Sequence, residues 1–466
     1  MNLCLPDIDS GEPCIISKAV TTYGQFQSII REWEERLQGV GVGQGISVAV
    51  QIPASVTLLA VLYAVWRAGG TVILLDPRWK EAECGRALEQ CRPHLRITAK
   101  QERSAMIAFR VEEPVSIERM YADSNIDNSI QLVQFTSGST GMPKIIGRTA
   151  ASLHAELERL KAANHRVVRN DKVLILCSIT HTYGLITGVM QTLAAGASLV
   201  FAPSPQPHQM LETMTAHRVT CMFGVPAHFE LLATLQPNLL FPDLRVAASA
   251  GEVLSDTIRT GFSERFGIPI GQVYGMTETG IISMDLKAEC EGAGQLLQGM
   301  HVKVEQDELY VRMSQSPYLY EAAGNRYEEG WLRTGDLGAY DEQRRILHVH
   351  GRTDSVVTIG GLKVNLGEIE AVLKQHPKVT EIIAVTNPFQ QIEAYIGSMQ
   401  PLAAQEMLLY MKEQVAEYKI PKAFFILPEL PKTATGKLIR NRDMLYEHMR
   451  SLILNYGVTT MTKEMN

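Results

Sequence analysis

The stretch ISVAVQIPASVTLLAVLYAVWRAGGTVILLD, residues 46–76, decides the fold class. ISVAVQI reads as a strand, Ser55–Arg67 as a helix and TVILLD as the next strand, short β-branched runs flanking a longer apolar one. That order is the signature of a mostly parallel α/β sheet. The apolar run Val56–Trp66 stops at Arg67, well short of the ~20 residues that span a bilayer. It reads as a buried helix.

Working outward, Phe26–Leu37 reads as a helix and Gly39–Gly45 as a turn leading into the first strand. Downstream, HQMLETMTAHRVTCMFGVP (208–226) reads as another helix and strand, and LRVAASAGE (244–252) as a strand ending in a small-residue turn. The alternation persists to about residue 300. Beyond it come shorter alternating strands, VKVEQDELYVRM (302–313) and RRILHVHGR (344–352), then a mixed stretch closing on an amphipathic helix near Asp443–Leu454. No internal repeat or low-complexity tract interrupts the pattern.

At 466 residues, 45% hydrophobic and 20% charged, the chain is long enough for two or more domains. A net charge of −6 gives no general attraction to nucleic acid or to an anionic membrane, which points to a small ligand. The N-terminal MNLCLPDIDSGEP lacks a basic flank and apolar run, and the seven cysteines are scattered without a Cys-x-x-Cys pair. Reduced thiols and a cytoplasmic location are expected.

Three glycine-rich segments invite comparison with phosphate-binding loops. GVGVGQG (39–45) follows a helix and precedes a strand, the reverse of a dinucleotide fingerprint. Gly436-Lys437 lacks the other P-loop positions, with Pro431 and Leu438 in place of glycine and hydroxyl. QFTSGSTGMPKII (134–146) is different. It follows the strand SIQLVQF and precedes a helix marked by Leu153, Leu157 and Leu160, so backbone N–H groups near a helix start could cradle a phosphate. Hydroxyls of Thr136, Ser137, Ser139 and Thr140 would donate, Gly138 and Gly141 allow close approach, and Lys144 supplies charge. A plain Ser/Thr/Gly surface loop has the same composition, and this segment alone leaves both readings open.

FTSGSTGMPK does not stand alone. YGMTETG (274–280), GWLRTGDLG (330–338), GRTDSVVTIGGLKVNLGEIE (351–370) and PKTATGKLIR (431–440) follow in order. Together they resemble the adenylate-forming superfamily of acyl-CoA synthetases, aryl-acid ligases, peptide-synthetase adenylation domains and firefly-type luciferases. The resemblance runs from TTYGQF (21–26) to the C-terminal lysine motif. It implies a large N-terminal lobe of stacked α/β sheets with a β-barrel-like subdomain, and a small mobile α+β C-terminal domain. The boundary falls at 353, with residues 1–353 binding adenylate and acid and residues 354–466 forming a lid hinged at Asp354.

Residue by residue, the resemblance makes Lys437 the catalytic lysine that contacts carboxylate and α-phosphate. Thr277 contacts the α-phosphate, Glu278 holds Mg²⁺, and Tyr274 flanks the adenine beside Gly251 and Glu252. Gly275 and Met276 belong to the same nucleotide motif, while Asp336 and Arg352 bind the ribose. These residue types suit the chemistry: attack of a carboxylate on a triphosphate brings like charges together, so cations and donors must face the transition state. A magnesium ion needs few protein ligands because phosphate and water supply the rest. Rotation of the lid would replace Lys437 with Gly360 and Gly361, whose lack of side chains leaves room for a pantetheine tunnel.

His181 borders the acyl group in the same resemblance, with Tyr183, Val225 and Met276 lining the acid pocket. Thr182 stands where amino-acid-activating domains carry an aspartate, so an α-ammonium would be buried unpaired. A plain aryl or fatty acid is expected. The implied reaction joins that acid to AMP from ATP and then to the thiol of coenzyme A. A stand-alone adenylation enzyme loading a carrier-protein phosphopantetheine, and a non-catalytic adenylate-binding relative, remain alternatives. Departures from the family pattern are Thr358, where lysine is common, and DEQRR (341–345) in place of an Asp-Gly turn.

Overall fold

A computed structural model describes residues 5–6, 8–100, 108–136, 144–235, 241–251, 254, 256–320, 326–352, 356–431 and 438–456. The chain divides into two compact units. The first comprises Met1–Pro77, Leu88–Phe135 and Ile145–Thr353; the second comprises Arg78–Ala87, Thr136–Lys144 and Asp354–Asn466.

In the deciding stretch, strand Ser47–Gln51 is followed by helix Val56–Arg67 and strand Thr71–Leu74. The strands pair in parallel, with Val48 opposite Val72. Ser55 starts the helix by accepting a hydrogen bond from the Leu58 N–H at 3.0 Å, satisfying one of the donors a helix start leaves open. Residues Val56–Trp66 are all buried, which is why the run is apolar on every side rather than amphipathic.

These strands lie in a six-stranded sheet of order Val115–Arg119, Leu95–Ala99, Ser47–Gln51, Thr71–Leu74, Ile130–Thr136, Lys144–Thr149. The larger sheet of the first unit has fourteen strands among the described residues. Its parallel arm runs Pro13–Ile16, Ser198–Val200, Lys172–Ile175, Cys221–Gly224, Val246–Ala250, Ile270–Met276. Val20–Thr22 pairs antiparallel at its outer edge. At Gly280–Asp285 the direction reverses, and the strands beyond residue 300 continue the same hydrogen-bonded sheet as an antiparallel arm; they are not shorter as expected, since Trp331–Asp341 outruns every strand of the parallel arm. Trp66, Tyr23, Phe26, Phe223, Phe229 and Phe262 are among the largest fully buried side chains.

One local expectation is corrected. The segment after the FTSGSTGMPK loop is a strand, Lys144–Thr149, and the helix Ala150–Ala162 begins only after it, capped by Thr149. The loop therefore joins two strands and does not open onto a helix N-terminus. Isoleucines 145 and 146 set the extended conformation, and Gly147 is pressed so closely that a Cβ there would lie 2.3 Å from Leu319.

In the second unit, the hairpin Val356–Ile359 and Leu362–Asn365 leads into helix Leu366–Lys374. Gly360 and Gly361 form its two-residue turn at φ +56° and +82°, the pair of positive values a type I′ turn requires. A three-stranded sheet of Glu381–Thr386, Ile392–Gly397 and Ala423–Leu427 packs with helices Ala404–Gln414 and Arg442–Tyr456 around Ile369, Ala394, Met407 and Leu445. Lys419, buried in this unit, stands 2.8 Å from both Glu83 and Glu368. Burial alone would depress its ammonium, but Glu368, Tyr418 and Glu83 hold it above the usual lysine range.

Candidate active site

Parallel strands all end at one edge of their sheet, and several of the described site residues follow such ends. Tyr183 comes after strand Lys172–Ile175, Val225 after Cys221–Gly224, Gly251 after Val246–Ala250, and Thr277 after Ile270–Met276. These four strands are consecutive neighbours. The chain leaves Lys172–Ile175 for Ser198–Val200 on one side and then returns to Cys221–Gly224 on the other. His181 follows the strand at which the order reverses, and open α/β sheets bind ligands at such switch points.

On the nucleotide side, the Tyr274 hydroxyl donates to the Asp336 carboxylate at 2.6 Å, bringing two predicted residues together. Asp336 is buried, and its backbone N–H donates to the Thr334 hydroxyl at 3.0 Å. Arg352 is its register partner on the adjacent strand. Gly251 takes φ +90° directly after its strand. Ser249, two residues earlier, is 2% exposed, and its hydroxyl has no hydrogen-bond partner among the described residues; the same holds for the Thr136 hydroxyl at the end of its own strand. Buried polar groups rarely stay unsatisfied, so the Ser249 hydroxyl suits a bound ligand.

Strands Ile270–Met276 and Gly280–Asp285 form a hairpin whose turn, Thr277–Thr279, carries the predicted phosphate and metal residues. Gly275 lies so close to its partner strand that a Cβ would sit 2.5 Å from the Gly280 carbonyl oxygen. Glu278 is 5% exposed and has no ion-pair cation among the described residues. A buried carboxylate is costly without positive charge, so this donor fits a hard cation. Among the described residues no group of three or more His, Cys, Asp or Glu could hold a metal by itself.

The anchor of this turn was not read from the sequence. Glu156, fully buried, accepts from Arg148 at 2.6 Å and from the Ile281 N–H at 2.9 Å. Its carboxylate fills the space beside Gly280, where a Cβ would lie 2.1 Å from Oε2. Gly280 at φ +72° thus answers both a backbone and a packing demand.

On the acid side, Gln134 holds the segment 179–183. Its amide donates to the Thr180 carbonyl at 3.0 Å and accepts from the Thr182 hydroxyl at 2.9 Å. The His181 Nε2 stands 3.3 Å from the Asp76 carboxylate. Tyr183 opens a π-helical segment, Tyr183–Met190, a form that recurs at functional sites. Its hydroxyl donates to the Ala248 carbonyl at 2.9 Å, and its ring meets Phe223 edge-on. Val225 donates its backbone N–H to His228 Nδ1 at 3.1 Å, and burial pushes that imidazole down to about 4. Met276 is buried at the end of its strand.

Ser137, Gly138, Ser139, Thr140, Gly141, Glu252, Asp354 and Lys437 lie outside the described residues, as does the side chain of Arg352. Lys144 begins its strand and is buried. Gln134 lies inside strand Ile130–Thr136 and Asp76 two residues past Thr71–Leu74, and a polar residue late in or just after an apolar parallel strand is the signal that points to them.

The family model for AMP-binding enzymes matches residues 10–314, and that for the AMP-binding enzyme C-terminal domain matches residues 368–437. The chain belongs to the AMP-binding enzyme family, the adenylate-forming superfamily anticipated from its motifs. It is an adenylate-forming ligase by class. Among curated relatives, an oxalate–CoA ligase of Arabidopsis thaliana is 26% identical, with 90% of this chain and 92% of that protein covered. A 2-succinylbenzoate–CoA ligase of Bacillus subtilis is also 26% identical, over 92% of this chain and 93% of its own length. The fold is shared with an amide bond synthetase of Marinactinospora thermotolerans at TM-score 0.80 and 22% identity, covering 94% and 97% of the two chains. Among the described residues no helix is long and apolar enough to cross a membrane.

Proposed function

We propose that the protein is a cytoplasmic AMP-forming acid–CoA ligase. It activates an aryl or fatty acid with ATP to an acyl-adenylate and pyrophosphate, then transfers the acyl group to the thiol of coenzyme A. The observation that carries this reading is the shared edge of four neighbouring parallel strands, which delivers Tyr183, Val225, Gly251 and Thr277 in spatial order. The CoA ligases among the relatives cover nearly the whole chain and support the choice of acceptor.

In this reading a carboxylate oxygen attacks the α-phosphorus, the bond to the β-phosphate oxygen breaks, and pyrophosphate leaves. Asp336 accepts the ribose hydroxyls, and Thr277 with the 136–144 loop donates to the phosphates. Mg²⁺ beside Glu278 would neutralise phosphate charge. Lys437 supplies a cation to carboxylate and α-phosphate. Residues 354–466 act as a lid turning about Asp354, and Gly360 and Gly361 line the path of the thiol in the second step. The thiolate then attacks the acyl carbonyl, and AMP departs with the bridging oxygen.

The test is pyrophosphate release by the purified protein with ATP and Mg²⁺ across aryl, short-, medium- and long-chain acids and dicarboxylic acids. Each arm is followed by free CoA or a holo carrier protein. Acid-dependent pyrophosphate and an acyl-CoA product are expected. Acyl transfer to carrier protein alone would move the assignment to a carrier-loading enzyme, and no acid-dependent pyrophosphate with any acid would overturn the ligase reading.

A further inference from the structure

Asp76 is a buried acid beside His181, a predicted acid-site residue. It follows strand Thr71–Leu74 in the six-stranded sheet, where the Leu75 N–H donates to the Val50 carbonyl at 3.0 Å and continues the ladder up to the acid. The Gln51 amide reaches the Asp76 backbone carbonyl at 3.5 Å. The Asp76 side chain is only 4% exposed, whereas that of His181, 3.3 Å away, is 42% exposed. The histidine belongs to the other sheet's switch-point segment, so the pair joins the carboxyl edges of the two sheets of the first unit.

The chemistry of the pair is one-directional. An ionised carboxylate only accepts, so a hydrogen bond across this 3.3 Å gap requires the proton on Nε2, the imidazole nitrogen that faces it. Burying the carboxylate is costly unless such a donor meets it, and the pairing therefore constrains the ring as much as it relieves the acid. The backbone on either side of His181 is already fixed: Gln134 grips Thr180 and Thr182, and the His181 carbonyl accepts from the Leu185 N–H at 2.9 Å. Gly184 completes the constraint, since a Cβ there would lie 2.1 Å from the Ser178 carbonyl oxygen. With the backbone held, the ring retains its own torsions, and the Asp76 carboxylate beside Nε2 favours those that keep the nitrogen within reach.

We propose that Asp76 is a positioning residue for acid binding. By holding Nε2 it sets the orientation and the proton-bearing nitrogen of His181, and through that ring the placement of the acid substrate. The inference rests on the ligase reading above, which puts His181 beside the acyl group. It goes further in naming a buried acid on the other sheet as what fixes the histidine.

The test uses the full chain with the best acid from the panel. In Asp76→Ala, KM for the acid should rise about tenfold or more, the scale of one charged hydrogen bond, while KM for ATP moves less than about twofold. Asp76→Asn, whose amide oxygen still accepts, should recover part of the loss. In protein carrying ¹⁵N-labelled histidine, the His181 resonances should show a protonated Nε2 in the wild type and shift in Asp76→Ala. With His181→Ala in place, adding Asp76→Asn should cost nothing more. Unchanged His181 resonances with unchanged acid KM, or fully additive losses, would overturn the inference. If Asp76→Ala folds poorly, Asp76→Asn and the double variant decide. Absence of turnover in the wild type would count against the ligase reading, while the histidine resonances would still test the contact.

Discussion

Two hairpin turns, Thr277–Thr279 in the first unit and Gly360–Gly361 in the second, each depend on a glycine with positive φ, +72° at Gly280 and +56° at Gly360. Their surroundings differ. A Cβ at Gly280 would lie 2.1 Å from the buried Glu156 carboxylate, whereas one at Gly360 would meet nothing within 4 Å among the described residues. The first turn is locked by a packed ion pair beneath it; the second needs glycine for its backbone alone. Rigidity is placed where the reading puts phosphate and metal, and open space where it puts the narrow path of a thiol.

Breaking the lock gives the largest expected effect. Glu156→Gln leaves Arg148 charged and buried without its partner, and should cost about 3–5 kcal/mol in urea unfolding. A loss under about 1 kcal/mol would show that the turn is held by other means. The second region makes a catalytic claim instead. Lys437→Ala should slow acyl-adenylate formation about 100- to 1,000-fold, while thioester formation from a preformed adenylate stays largely intact. Equal loss in both steps would remove the lysine from its role.

Smaller effects sharpen the contrast between the glycines themselves. Gly280→Ala should destabilise the protein by about 2 kcal/mol through overpacking against Glu156 and depress pyrophosphate release with it. Gly360→Ala should cost about 1 kcal/mol, a turn penalty alone, and slow thioester formation while sparing pyrophosphate release. Similar costs at the two positions would mean that the packing around Gly280 is not what constrains it.

Much of this architecture was legible before any coordinates. The strand and helix runs of residues 46–76 correspond to Ser47–Gln51, Val56–Arg67 and Thr71–Leu74, because each element's hydrophobic pattern is local. Lys144–Thr149 was missed as a strand: a lysine, a glycine and an arginine interrupt its six residues, and sheet pairing outweighs that composition. The motif residues announced themselves through order along the chain. Their supports did not, since Asp76 with His181, Gln134 with Thr180 and Glu156 with Ile281 are pairs far apart in sequence. Long-range pairs of this kind have no periodicity to read.

The central claim is that a carboxylate oxygen becomes bonded to the α-phosphorus of ATP at the edge of the parallel strands. Turnover of a carboxyl-¹⁸O-labelled acid, with the nucleotide product weighed by mass spectrometry, follows that bond directly. AMP carrying one ¹⁸O from the acid is expected, with pyrophosphate unlabelled. Unlabelled AMP, or ADP with the label in phosphate, would contradict it.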